Sequence, residues 1–96
     1  MLIGKEIIGF GLEQLTMFYP DFDRFIEKKG IETVVDAWYS MFKKIDYDYD
    51  LAEQHFKQAI FNLIYTSKST PYFSDVLDNM RELNKEHELG KLRNKS

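Results

Sequence analysis

The chain has no cysteine, only two prolines and five glycines. Without cysteine there is no disulfide framework, no thiolate nucleophile and no thiolate-bound zinc, and a cytosolic setting is expected. Long hydrophobic runs are missing too. The opening "MLIGKEIIGFGLEQL" is apolar but is interrupted by Lys5, Glu6 and Glu13. No stretch approaches the roughly 20 apolar residues that span a bilayer, and "MLIG" is too short for the core of an export signal. Neither a membrane span nor export is expected. Positive charge is also scarce: 13 Lys and Arg stand against 16 Asp and Glu, a formal charge of −3. Duplex-DNA binders displace counterions with clustered cations, so direct duplex binding is not expected. The charge is uneven, with 9 basic and 14 acidic side chains in residues 1–83 but 4 basic and 2 acidic in residues 84–96.

What remains is apolar and aromatic. Hydrophobic residues make up 44% of the 96 and aromatic residues 16%, enough for one domain with one core. Helical spacing dominates, with no β alternation bounded by turns. A helix over about Lys5–Phe18 places Ile8, Leu12, Leu15 and Phe18 or Tyr19 on one stripe. Gly9 and Gly11 are expected to fray its start, and Pro20 to end it with Tyr19 extended. "DFDRFIEKKG" reads as a short helix capped by Asp21, with Phe22, Phe25 and Ile26 as its apolar face, and stopped by Gly30. From Ile31 to Ile45, Val34, Val35, Trp38, Phe42 and Ile45 repeat at helical spacing, with Trp38 as the expected core anchor.

A further amphipathic helix covers about Asp50–Thr66 and buries Ala52, Phe56, Ala59, Ile60, Leu63 and Ile64. Thr70-Pro71 is a helix-start signal for a last helix using Phe73, Val76, Leu77, Met80 and Leu83. Beyond Leu83 the stripe thins to Leu89 and Leu92. The expected architecture is therefore all-α: a compact bundle of four to five short helices over residues 1–83, with a frayed or disordered, mildly basic tail over residues 84–96.

Three aspartates alternate in "IDYDYD". Asp46, Asp48 and Asp50 match positions 1, 3 and 5 of a calcium loop, but Leu51 and Lys57 fall where that loop needs glycine and a bidentate glutamate. A capping box at Asp50-Leu51-Ala52-Glu53 is the expected local structure, with the Tyr47 and Tyr49 rings packed on neighbouring helices and their hydroxyls in water. His55, on a charged face, and His87, between Glu86 and Glu88, have no metal-ligand partner at i+3 or i+4. No Gly-x-Ser-x-Gly elbow and no phosphate loop occur. No catalytic residue, cofactor or metal is assigned, and an enzyme is not expected. Met17, Met41 and Met80 are expected in the core. Phe18, Tyr39, Tyr65 and Tyr72 include surface positions, because so small a core cannot hide all the aromatics, and an aromatic-rich surface suits protein binding.

The order of the motifs is itself informative. "FYPDF" (Phe18–Phe22), "AWYSMF" (Ala37–Phe42), "IDYDYD", "FKQAIFNLIYTSK" (Phe56–Lys68) and "TPYFSDVL" (Thr70–Leu77) follow one another in the chain. This pattern, over roughly Leu12 to Met80, resembles the replicative helicase loader/inhibitor family of phages of Gram-positive bacteria. Two departures are a Ser69-Thr70-Pro71 link, where that family commonly has an apolar residue and often a double proline, and a short tail.

The resemblance implies a phage DNA-replication protein of the bacterial host cytoplasm. It would bind a DnaB-type hexameric helicase and control its loading or activity until an origin-bound initiator releases it. It also implies that the C-terminal segment makes the contact, with Met80, Leu83, Leu89, Leu92 and Arg93 as candidate residues. An acidic surface at Asp46, Asp48 and Asp50 is the fallback. The alternatives are a phage protein that inhibits another host factor, such as a helicase-loading ATPase or a repressor, a helical nucleic-acid-binding module, or a structural protein.

Overall fold

The computed structural model describes residues 3–45 and 49–94, with residues 91–94 described by backbone alone. The described residues form five helices and no strand: α1 (Lys5–Phe18), α2 (Pro20–Lys29), α3 (Ile31–Lys44), α4 (Ala52–Thr66) and α5 (Phe73–Asn94). The all-α architecture follows the periodicity of the sequence. No helix among the described residues is long and apolar enough to cross a membrane.

α1 carries the expected stripe, with Ile8, Leu12 and Leu15 fully buried. Tyr19, rather than the exposed Phe18, completes it. The fraying expected at Gly9 and Gly11 does not occur, because tertiary packing overrides helix propensity here. A Cβ at Gly11 would lie 2.5 Å from Phe56 Cε2 and 3.1 Å from Ile60 Cγ1. The missing side chain is what lets α1 approach α4.

Tyr19 is extended (φ −127°, ψ 100°) and forms a one-residue joint, since Pro20 already occupies the first turn of α2. Proline suits that position because the N–H it lacks would have no helical partner there. Asp21, expected as the cap, lies inside the helix and pairs with Arg24. The α2–α3 joint is Gly30 at φ 85°, a left-handed conformation that favours glycine. Its N–H donates to the Ile26 carbonyl at 2.7 Å.

α1 and α4 run in the same direction. The Gly4 N–H donates to Glu53 Oε2 (3.0 Å) at one end, and the Tyr19 hydroxyl donates to the Ser67 carbonyl (2.7 Å) and the Leu63 carbonyl (3.2 Å) at the other. α5 runs antiparallel to α4, with Asn62 Nδ2 3.0 Å from Asn79 Oδ1 and the rings of His55 and His87 6.3 Å apart.

The core is aromatic where α3, α4 and α5 meet. Trp38 packs edge-on against Phe56 and Phe73, at 6.3 and 5.3 Å between centroids, and Phe42 touches the same two rings at 5.9 and 4.7 Å. Trp38 is buried and anchors the core as expected. Four residues expected inside are exposed: Met17 (73%), Phe25 (44%), Met41 (38%) and Ile45 (44%). Ile45 follows the end of α3, where the helical stripe no longer faces the core.

Both caps expected from local pattern are replaced. The helical segment of α4 has Leu51 rather than Asp50 at its N-cap, so no side chain caps it, and the Glu53 carboxylate accepts the Gly4 N–H instead. α5 begins at Phe73, not at Thr70-Pro71. There Asp75 Oδ2 accepts the Tyr72 N–H at 2.8 Å, the returning half of a capping box.

Candidate partner-binding surface

The tail candidates do not form one surface. Met80 is fully buried among Val76, Phe56 and the rest of the core, and Leu83 is half-buried against it. Leu89 is 44% exposed on the later turns of α5. The side chains of Leu92 and Arg93 lie outside the described residues, although the helical backbone continues past Leu83 to Asn94. Of the acidic candidates, Asp46 and Asp48 lie outside the described residues, as does Tyr47, and Asp50 is exposed in the turn before α4.

The neighbouring Tyr49 is half-buried, and its hydroxyl is not left to water. It lies 2.8 Å from Nδ1 of His55. His55 is buried, contrary to the exposed face expected for it. Burial, and secondarily the charge of His87, push its pKa below the ordinary value. His87 is half-buried against the His55 ring rather than solvated between its glutamate neighbours. This contact carries α5 along α4 where the apolar stripe has thinned, so the helix continues on polar aromatic packing. Among the described residues no group of three His, Asp or Glu could hold a metal ion.

Sequence periodicity did not reveal an apolar groove of about 500 Å³ between α2, α3 and the α4–α5 connection. Phe22, Phe25, Trp38, Pro71, Tyr72 and Phe73 line it, with Asp21, Ser69 and Thr70 at its polar edge. Its construction starts at Tyr19, whose hydroxyl bonds fix the α1–α2 joint to the C-terminal end of α4. Pro20 then starts α2 at once, which sets Phe22 and Phe25 beside the connection that follows Ser67. Ser67 Oγ donates to the Ser69 carbonyl at 2.7 Å and holds that connection. Phe25 and Tyr72 remain 44% and 74% exposed. An apolar cleft with a few polar edge groups is the usual form of a binding site.

A second exposed apolar area follows the parallel pair α1 and α4. Phe10 and Phe61 meet edge to face at 6.2 Å, and Lys57 Nζ sits 5.9 Å from the Phe10 centroid. Met17 lies two turns beyond Phe10, and Tyr65, one turn beyond Phe61, is 92% exposed. The surface positions expected at Phe18, Tyr65 and Tyr72 are thus found, while Phe10 and Met17 went unrecognised. Their i, i+7 spacing was a usable signal, since it marks a second apolar stripe on α1 distinct from Ile8, Leu12 and Leu15. Comparison with family models, curated protein sequences and solved structures finds no match to this chain.

Proposed function

We propose that the chain is a phage DNA-replication protein that binds a DnaB-type replicative helicase and controls its loading or activity, acting by contact and without a cofactor. One observation carries the reading. Three of the motifs on which the resemblance rests, far apart in sequence, meet in a single apolar groove. "FYPDF" supplies Asp21 and Phe22, "AWYSMF" supplies Trp38, and "TPYFSDVL" supplies Thr70, Pro71, Tyr72 and Phe73. Motifs that served only to fill the core would be used up inside it, whereas here they also frame an open surface. The groove is thus a contact site in addition to the C-terminal part of α5 that the resemblance implies, where Leu89 is exposed.

Binding to a DnaB-type hexamer from a Gram-positive bacterium, followed by sedimentation, tests the proposal directly. The full chain is expected to co-sediment with the hexamer. Phe25→Ala with Tyr72→Ala should weaken this at least about tenfold, as truncation of central aromatic anchors does. Leu89→Ala, Leu92→Ala and Arg93→Ala together report the contribution of α5. Absence of any complex with the hexamer, combined with binding to a helicase-loading ATPase or a repressor, would replace this reading with inhibition of another host factor.

A further inference from the structure

A shallow groove of about 560 Å³ opens between α1 and α3, on a different pair of helices from the aromatic cleft. Its floor is apolar, formed by Gly9, Phe10 and Val35, and its rims are acidic, with Glu6 and Glu13 on α1 and Glu32 and Asp36 on α3. Helix periodicity sets this pattern: the α1 carboxylates are two turns apart and the α3 pair one turn apart, so negative charge lines both sides. The only cation among the lining residues is already engaged. Lys5 Nζ lies 3.0 Å from Asp36 Oδ1 and 5.1 Å from the centre of the Tyr39 ring. Glu6, Glu13 and Glu32 have no ion-pair partner among the described residues.

The floor supplies a second, independent observation. A methyl group at Gly9 would rest 3.7 Å from Val35 Cγ2, an ordinary contact, whereas at Gly11 it would collide with Phe56. Packing therefore requires glycine at position 11 but not at position 9. Glycine weakens a helix interior relative to alanine, so Gly9 carries a conformational cost that the bundle does not need. What it does is keep the groove floor open beside Phe10.

We propose that this groove binds an amphipathic, Lys- or Arg-rich helical segment of a partner protein. An apolar side chain of the segment seats over Gly9 against Phe10 and Val35, and its cations meet Glu6, Glu13 and Glu32. A groove between two helices is shaped to take a third, and complementary charge fixes its register and speeds its arrival. Phosphate-bearing partners, whether nucleic acid or anionic lipid, are repelled by the same rims. The inference holds whichever protein supplies the segment, so failure to bind a helicase would leave it standing.

The test uses the full chain and two synthetic amidated peptides of equal length with one leucine stripe, flanked by lysine in one and by glutamate in the other. Binding is read by fluorescence anisotropy at low and at physiological salt. The lysine peptide is expected to bind and the glutamate peptide not. Gly9→Ala should raise the unfolding midpoint yet weaken lysine-peptide binding several-fold, a combination that damage to the fold cannot produce. Glu6→Gln, Glu13→Gln and Glu32→Gln together should weaken it at least about tenfold, chiefly at low salt. Removing the same number of charges elsewhere, with Asp23→Asn, Glu27→Gln and Asp78→Asn, should change it less than about twofold. The proposal is overturned if the lysine peptide does not bind, if the glutamate peptide binds equally, if the control variant loses as much as the groove variant, or if Gly9→Ala binds like the wild type.

Discussion

Gly11 lies where α1 packs directly on α4, and its energetics run against its intrinsic preference. Alanine in a helix interior is favoured over glycine by about 1 kcal/mol. At Gly11 that gain meets a methyl group 2.5 Å from one Phe56 ring carbon and 2.8 Å from another. Either α1 or the fully buried Phe56 ring must shift to admit it, and such overpacking costs about 1–3 kcal/mol. The steric term wins, so Gly11→Ala is expected to lower stability by about 1–2 kcal/mol, measured as a drop in the urea midpoint at unchanged slope. A midpoint that rises instead would mean the two helices are not in close contact at this turn. Tyr19 makes a complementary case, because its value lies in a polar atom. Its hydroxyl donates chiefly to the Ser67 carbonyl just past the end of α4, and lies 3.2 Å from the Leu63 carbonyl, which also accepts the Ser67 N–H. Tyr19→Phe keeps the ring and removes those bonds, which should cost about 1 kcal/mol. Proteolysis should reveal the loss first as faster cleavage in the connection between Ser67 and Pro71. Cleavage there at the wild-type rate would show that the hydroxyl does not hold that connection.

Helical elements were legible in the sequence where one stripe of apolar residues decides their placement. The limits of α1, the glycine stop at Gly30, the burial of Trp38 and the apolar face of α4 through Ile60 all follow from spacing and punctuation. What escaped shares a different physical origin. Glu53 was expected to cap its own helix but binds Gly4, and Tyr19 was placed by its ring while its hydroxyl reaches Ser67. Both partners lie more than forty residues away in the chain, and local pattern carries no information about them. His55 escaped for a related reason: a polar residue on a helix counts as solvent-facing unless its partners, here Tyr49 and His87, are known. Met17 and Met41 are hydrophobic, but their positions on α1 and α3 face outward. The aromatic groove was illegible for both reasons. Phe22, Phe25, Trp38 and Phe73 each read as core in their own helices, and nothing in the local pattern brings them together with Pro71 and Tyr72 of the α4–α5 connection.

For the molecule as a whole, the decisive question is how the later turns of α5 remain on a body from which their apolar stripe has largely withdrawn. The bundle and α5 share a continuous core only as far as Leu83, which is half-buried against it. Beyond that point His87 meets His55 of α4, whose Nδ1 lies 2.8 Å from the Tyr49 hydroxyl. This fastening titrates. Burial first, and electrostatic repulsion from His87 second, hold His55 below its ordinary pKa of 6.5. Above that pH the ring is neutral in both the folded and the unfolded chain, and pH has no leverage through it. As pH falls through 6.5 the unfolded chain takes up a proton that folded His55 resists, so stability declines, and the decline ends once the folded ring is protonated as well. The wild type is therefore expected to lose stability as pH falls through about 6.5, before ordinary carboxylates titrate. His55→Gln, which cannot take up that proton, should flatten the slope. Amide hydrogen exchange across residues 84–90 should accelerate over the same interval, ahead of exchange in α1, because the outer turns have the fewest apolar contacts to hold them. An equal slope in the variant would assign the acid sensitivity to groups other than His55, and uniform acceleration across all five helices would show that α5 does not separate from α4 before the bundle opens.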